Sequence, residues 1–287
     1  MVKVDLIKLI RPTQWVKNSF VLAPLLFTHS FTNANDLLNS AYAVLIFCIA
    51  SSVTYIFNDY KDIEADRNHP TKSKSRPLAS KTVSKNQGFL LGLFLFLILV
   101  ILLAFAMSLG LILVIMGYLL LNVCYSILLK NYPFIDVICV SAGFVLRVYA
   151  GAIAISVPVS PWMFVTTLSV ALFISISKRK HELYLIDNPL GSTRAVLRNY
   201  SLGLTRRLVI VTGTLTLIFY SLFVITSKEN LIITVPLVAY GLFRYWYICE
   251  HYGKGESPAE AIFTDKQLLL CATIWTILSG WLVWNSG

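Results

Sequence analysis

Apolar and polar positions segregate along this chain on the scale of whole helices. Apolar runs centre on residues 18–33, 38–57, 88–107, 109–129, 134–155, 161–177, 207–226, 231–248 and 267–284, with short polar stretches between them. Each is close to the ~20 residues a helix needs to cross a hydrocarbon core. None has the period-two alternation of a barrel strand, and backbone groups in lipid must be satisfied within their own segment. The pattern therefore predicts an all-α integral membrane protein of about nine transmembrane helices. The runs leave no stretch for a separate soluble domain, so residues 1–287 are read as one domain.

Composition and charge sharpen this picture. Hydrophobic residues make up 57% of the chain and charged ones 13%, against roughly 45–50% and 25% in ordinary soluble domains. A net charge of +10 would suit nucleic acid, but the bases cluster in short loops between apolar runs, where membrane orientation explains them. With Lys3, Lys8, Arg11 and Lys17 on the cytoplasmic side, alternate connections carry Lys61 to Lys85, Lys130, Lys178 to Arg207, and Arg244 to Lys266. The intervening connections hold little base beyond Lys228. This parity predicts nine spans with the N-terminus inside and the C-terminus outside, and the expected location is the bacterial cytoplasmic membrane. No cleavable signal peptide is expected, because Arg11 and Lys17 interrupt the first segment. The five cysteines stand singly, and Cys48, Cys124, Cys139 and Cys271 lie in apolar runs. They read as small hydrophobes, not as disulfides or a metal cluster.

Candidate chemistry gathers on the basic side. Asn58-Asp59-Tyr60-Lys61-Asp62-Ile63-Glu64-Ala65-Asp66 is followed by His69-Pro70-Thr71-Lys72-Ser73-Lys74-Ser75-Arg76-Pro77. If the helix entering at Asn58 continues, Asp59, Asp62 and Asp66 fall at i, i+3 and i+7 and share one face. A hard cation such as Mg²⁺ would relieve the crowding of like charges, and Lys72, Lys74 and Arg76 would hold phosphate. The alternative is a solvated loop between two helices. Tyr125-Ser126, Lys130, Asp136 and Arg147 lie on the same side. Ionisable residues in apolar runs are costly, so Asp136 and Arg147 mark a functional interior or else a structural ion pair or snorkelling side chains. Lys178-Arg179-Lys180-His181-Glu182-Leu183 is a basic run with Glu182 embedded in it. It reads either as an orientation signal or as an anion site. A Gly-rich phosphate loop, zinc-spaced histidines, a serine elbow and transporter-like repeats are all missing from the sequence.

Asn58-Asp59-x-x-Asp62-x-x-x-Asp66 resembles the first aspartate-rich motif of the UbiA superfamily of intramembrane prenyltransferases. The resemblance extends to Arg11-Pro12-Thr13-Gln14-Trp15-Val16-Lys17-Asn18, His69-Pro70 through Arg76-Pro77-Leu78-Ala79-Ser80, and Tyr125-Ser126 with Lys130. It continues through Gly143-Phe144-Val145-Leu146-Arg147 and Lys178 to Leu183, and more weakly to Ser257-Pro258-Ala259-Glu260 and Asp265. These motifs are similar to the branch of decaprenyl-phosphate phosphoribosyltransferases. The resemblance implies transfer of 5-phosphoribose from phosphoribosyl pyrophosphate (PRPP) to a polyprenyl phosphate, with release of pyrophosphate. The β-phosphoribosyl lipid so made is a precursor of arabinofuranose donors. It implies Mg²⁺ on Asp59, Asp62 and Asp66, the last replaceable by water, with Asn58 beside them. Lys72, Lys74 and Arg76 would hold the pyrophosphate or 5-phosphate. Lys17, Lys130, Arg147, Lys178 and Arg179 would serve the acceptor phosphate and the ribose, with Tyr125 and Glu182 on the sugar. Which base meets which phosphate stays open.

Two departures matter. Ordinary members of the superfamily carry a second aspartate-rich motif after the sixth span, where this chain has Lys178-Arg179-Lys180-His181-Glu182. A basic patch suits a phosphate better than a second metal. Lys81 stands where the branch more often has glycine, which bears on the local turn. The rival readings are a UbiA-type enzyme moving an isoprenoid from a prenyl diphosphate to an aromatic acceptor, and a transporter. No nucleic-acid partner is expected, and a homo-oligomer is compatible with the sequence.

Overall fold

A computed structural model describes residues 2–68, 72–106, 108–184, 195–251, 261 and 264–286. After α1 (Val2–Ile10) and the short α2 (Ala23–Phe27) comes the first long helix, α3 (Ala34–Lys61). Two short helices, α4 (Ile63–Arg67) and α5 (Lys72–Ser75), lead to α6 (Lys85–Ala104), α7 (Leu109–Ile127), α8 (Ile135–Ala154), α9 (Pro161–Tyr184) and α10 (Leu202–Ser227). A 3₁₀ turn, Glu229–Thr234, then runs into α11 (Val235–His251), and α12 (Lys266–Asn285) follows.

Helix starts are set by capping side chains, which satisfy amides that no helical carbonyl can reach. Ser84 and Gln87 form a reciprocal capping box on α6. Ser108 accepts from the Leu111 amide, Ser201 from that of Leu204 and Asp265 from that of Leu268.

Eight helices among the described residues are long and apolar enough to cross a membrane. The expected first span, 18–33, is not one of them. Pro12–Leu22 is instead a 3₁₀ helix, followed by α2 and a 3₁₀ turn at Ser30–Thr32. Pro12 and Pro24 remove two backbone donors, and Asn18 spends its side chain on neighbouring helices. The segment nonetheless runs antiparallel along α3. Arg11 meets Asp59, Trp15 Nε1 donates to Ser52 Oγ (3.0 Å), Asn18 Nδ2 approaches Ser51 Oγ (3.4 Å), and Asn33 caps the start of α3. At about 2.0 Å per residue the 3₁₀ helix alone covers roughly 22 Å, more than an α-helix of the same length.

Lipid tails are as apolar as leucine, so helices in a bilayer associate through close packing and small residues, not through hydrophobic exclusion from water. The mostly buried α3 and α8 form the centre of the bundle, whereas α6, α7 and α12 turn most of their apolar side chains outward. Gly151 on α8 is where the 3₁₀ segment comes closest, since a Cβ there would stand 1.8 Å from the Val21 carbonyl oxygen. Val21, Ala43, Phe47, Ala50, Ile115, Tyr118 and Ala150 join this segment to α3, α7 and α8 in one core. Val137, Phe173, Val209 and Tyr245 form a second core among α8, α9, α10 and α11.

Candidate active site

The acidic motif lies where α3 ends. Asp62 leaves helical geometry (φ −95°, ψ 10°), although its amide still bonds the Asn58 carbonyl (2.9 Å) and its own carbonyl receives the Asp66 amide (2.8 Å). The stripe of three carboxylates is thus bent at its middle member. Asp59 and Asp66 are buried and converge on Arg76, whose Nη1 donates to Asp59 Oδ1 (2.8 Å) and also to Asp66. Arg11 donates to Asp59 as well, Lys72 Nζ stands 3.8 Å from Asp66, and Lys130 pairs with Asp62. The crowding expected from spacing is relieved by bases from the N-terminal segment, the following loop and the 3₁₀ turn Leu129–Asn131 after α7.

The loop that delivers Arg76 is itself anchored. The Arg76 amide bonds the Lys72 carbonyl (3.0 Å), and Leu78, Ala79 and Val83 are buried. Gly88 on α6 makes room for Leu78, whose Cδ2 would lie 2.8 Å from an added Cβ. Lys81 has φ 63°, the left-handed region that glycine occupies without cost.

Asn58 Oδ1 accepts from Ser126 Oγ on α7 (3.1 Å). Arg147 forms no ion pair with Asp136 and does not snorkel. Its Nε donates to Asn18 Oδ1 (2.8 Å), Nη1 to the Gly143 carbonyl (2.8 Å) and Nη2 to Tyr118 Oη (3.2 Å), and the rings of Phe47, Tyr118 and Phe144 stand 5.0–5.4 Å away. No described carboxylate pairs with this buried guanidinium. Asp136 instead receives Arg179 Nε (2.7 Å) and Tyr200 Oη (2.7 Å), while Arg179 Nη1 reaches Glu182 Oε2 (2.7 Å). Burial pushes the Tyr200 phenol above its ordinary range, so it remains a protonated donor at neutral pH.

These groups enclose a cavity of about 440 Å³ at the basic end of the bundle. Among the described residues eight cationic side chains line it, those of Arg11, Lys17, Lys72, Arg76, Lys130, Arg147, Lys178 and Arg179, against two acidic ones, Asp62 and Asp66. Asn58 and Tyr125 also face it. Of the remaining candidates, Asp59 lies behind Arg11 and Arg76, Glu182 holds Arg179, and Lys74 is exposed, outside the cavity lining. His69, Pro70 and Thr71, and the weaker motif at 257–260, fall outside the described residues. Arg11, Tyr118, Asn122 and Tyr200 are the groups that the site adds to the sequence-based set. Arg11 stands in the expected N-terminal motif, but its partner Asp59 is 48 residues away, a pairing no local pattern reveals.

Among the described residues no three His, Cys, Asp or Glu side chains group to hold a metal ion. The donor chemistry nevertheless fits Mg²⁺, which takes hard carboxylate oxygens. Asp59 Oδ2 is buried without a hydrogen-bond partner, a hard oxygen that such an ion would satisfy.

The described residues thus form an all-helical bundle with a strongly basic cavity, crossed by acid–base pairs, at one end. The chain belongs to the UbiA prenyltransferase family, which it matches over residues 20–264. It is 33% identical to a decaprenyl-phosphate phosphoribosyltransferase of Mycolicibacterium smegmatis, over 95% of this chain and 91% of that one. It is 30% identical to the protein of that name from Corynebacterium glutamicum, over 94% and 84%. The fold matches a UbiA homolog from Archaeoglobus fulgidus solved with GPP and Mg²⁺, at a TM-score of 0.75 and 19% identity over 98% of this chain and 99% of that one.

Proposed function

We propose that this protein transfers 5-phosphoribose from PRPP to a polyprenyl phosphate at the cytoplasmic face of the membrane, releasing pyrophosphate. The observation that carries this reading is the cavity's charge: among the described residues, eight cations line it against the five acids that line it or pair with those cations from behind, Asp59, Asp62, Asp66, Asp136 and Glu182. Two phosphorylated substrates would satisfy such an excess. The stretch that is acidic in ordinary members of the superfamily supplies Lys178 and Arg179 to the lining. Arg147, buried with neutral partners only, calls for an anion from the cavity side, because an uncompensated buried charge is costly. The relatives' name points the same way.

The acceptor phosphate is already an anion at neutral pH, so no general base is needed. One of its oxygens attacks C1 of the ribose, the bond from C1 to the pyrophosphate oxygen breaks, and pyrophosphate leaves with the electron pair. The chain's part is to align the two substrates and hold charge. Arg11, Lys72, Arg76 and Lys130 receive the pyrophosphate, which frees the carboxylates they now hold. Asp59, Asp62 and Asp66 would then hold Mg²⁺, which when bound neutralises charge developing on the leaving group. Lys17, Arg147, Lys178 and Arg179 receive the other phosphate groups, and Tyr125 and Asn58 orient the sugar. A polyprenyl tail gains nothing from entering water and lies between helices, open to the bilayer.

The test is purified protein with labelled PRPP, Mg²⁺ and polyprenyl phosphates of several lengths, scored for a labelled lipid. PRPP is an α-anomer, so direct displacement gives a β-linked product by NMR, and an α-linked one would require a covalent intermediate. Labelled lipid from a prenyl diphosphate and an aromatic acceptor, but none from PRPP, would overturn the reading in favour of prenyl transfer.

A further inference from the structure

Behind Arg179 stands a relay of hydrogen bonds to which the chemistry above gives no role. Tyr200 Oη accepts from the Phe134 amide (2.7 Å) and donates to Asp136 Oδ1 (2.7 Å), and Asp136 Oδ2 accepts from Arg179 Nε (2.7 Å). Asp136 is fully buried. The three side chains come from three places in the chain, α8, α9 and the residue that follows the 3₁₀ turn Ala195–Asn199. An ion pair between Asp136 and Arg179 would already compensate both charges. The added hydroxyl fixes the plane of the carboxylate, and the carboxylate then fixes the plane of the guanidinium. With Nε on Asp136 and Nη1 on Glu182, the edge at Nη2 is engaged by no described residue, and Arg179 lines the cavity. The ring of Tyr200 also packs edge-on against Phe134, 5.6 Å between centroids, next to the turn that carries Lys130.

We propose that Asp136 and Tyr200 are positioning residues that aim the Nη2 edge of Arg179 at a phosphoryl group of a bound substrate. The proposal rests on the reading of the cavity as a site for two phosphorylated substrates and deepens it by naming what orients one of its cations.

The test uses the full chain in detergent and the variants Tyr200→Phe, Asp136→Asn, Arg179→Ala and the Asp136→Asn/Arg179→Ala pair. Phe removes only the hydroxyl, and Asn keeps the volume and one acceptor oxygen. Arg179→Ala should raise KM by about tenfold or more for one of the two substrates, PRPP or the polyprenyl phosphate. Asp136→Asn should raise it for that same substrate, and Tyr200→Phe about threefold to tenfold, with kcat within about threefold of wild type. The double variant should be no worse than Arg179→Ala alone, because the relay acts only through Arg179. A merely structural role would depress kcat and thermal stability together, shift KM for both substrates, and add to the loss from Arg179→Ala, and that pattern overturns the proposal. Unchanged KM in Tyr200→Phe and Asp136→Asn overturns it too. Where Asp136→Asn does not fold, Tyr200→Phe carries the test alone. Failure of the wild type to label any lipid from PRPP removes the phosphoribosyl reading instead. The same variants are then compared for protection by inorganic pyrophosphate against thermal unfolding. Loss of that protection supports positioning, and wild-type protection in Tyr200→Phe refutes it.

Discussion

A single guanidinium, that of Arg76, joins two buried carboxylates ten and seventeen residues away in sequence. This shared contact changes what to expect of the aspartates. As the third ligand of a Mg²⁺ ion, Asp66 would be the most replaceable, because water can take its place. With Arg76 shared, losing Asp66 also loosens the counter-charge of Asp59, so Asp66→Asn and Asp59→Asn should be equally damaging. Each should lower turnover by about 10²-fold or more while the protein stays monodisperse and folded in detergent. Near wild-type activity in Asp59→Asn would remove that residue from the machinery. Arg147 allows a cleaner separation of fold from function. Its partners are neutral, so Arg147→Met removes a buried charge without stranding a carboxylate and should leave the melting temperature within a few degrees of wild type. Phosphate-substrate KM should nevertheless rise at least about tenfold. A fall in stability with KM unchanged would make Arg147 a purely structural residue. The residue types of the site were legible in the sequence because their chemistry is local, acids and then bases in one loop. Their pairings were not, because Arg11 with Asp59 and Lys130 with Asp62 are tertiary contacts across 48 and 68 positions.

The 3₁₀ stretch Pro12–Leu22 holds Lys17 and Asn18 against the cavity wall by lying close upon α8. Gly151 permits that approach. A methyl group there would overlap the Val21 carbonyl, and overpacking of this kind costs about 1–3 kcal/mol. Gly151→Ala should therefore lower thermal stability and activity together. Raising the concentration of both phosphate substrates should recover part of the activity, since the displaced groups bind and do not react. Full activity with unchanged stability would show that the segment does not depend on this contact. The turn at Lys81 predicts the opposite sign. A non-glycine residue in the left-handed region costs about 1 kcal/mol, and Lys81→Gly should return some of it as a rise in melting temperature with activity unchanged. Element by element, the long helices followed from their apolar runs, whereas Lys81, in place of the glycine more frequent in the branch that the chain resembles, left the geometry of this turn open. The 3₁₀ segment did not follow, because apolar content over 18–33 cannot separate a regular helix from a stretched one whose polar side chains are spent on its neighbours.

At the scale of the molecule, charge parity and helix count make different demands on topology. Loop charges require an odd number of passes, with the two ends of the chain on opposite sides of the membrane. Counting only the eight regular helices would put both ends on the same side. The difference is the stretch from Arg11 to Asn33, which follows the whole length of α3 from Asp59 to the N-cap, although it is neither long enough nor regular enough to count as a spanning α-helix. Its extended rise lets fewer residues cover the distance. If that stretch crosses, a single cysteine introduced at Lys3 and another at Ser286, each in a background cleared of the native cysteines, should label from opposite faces of sealed vesicles. Lys3 should react only from the cytoplasmic face and Ser286 only from the other. The cavity, lined by residues from the same end of the bundle as Arg11, would then open to the compartment that holds phosphorylated sugars. Labelling of both positions from one face would instead mean that residues 11–33 enter and leave by the same side, and the charge parity of the loops would need another cause.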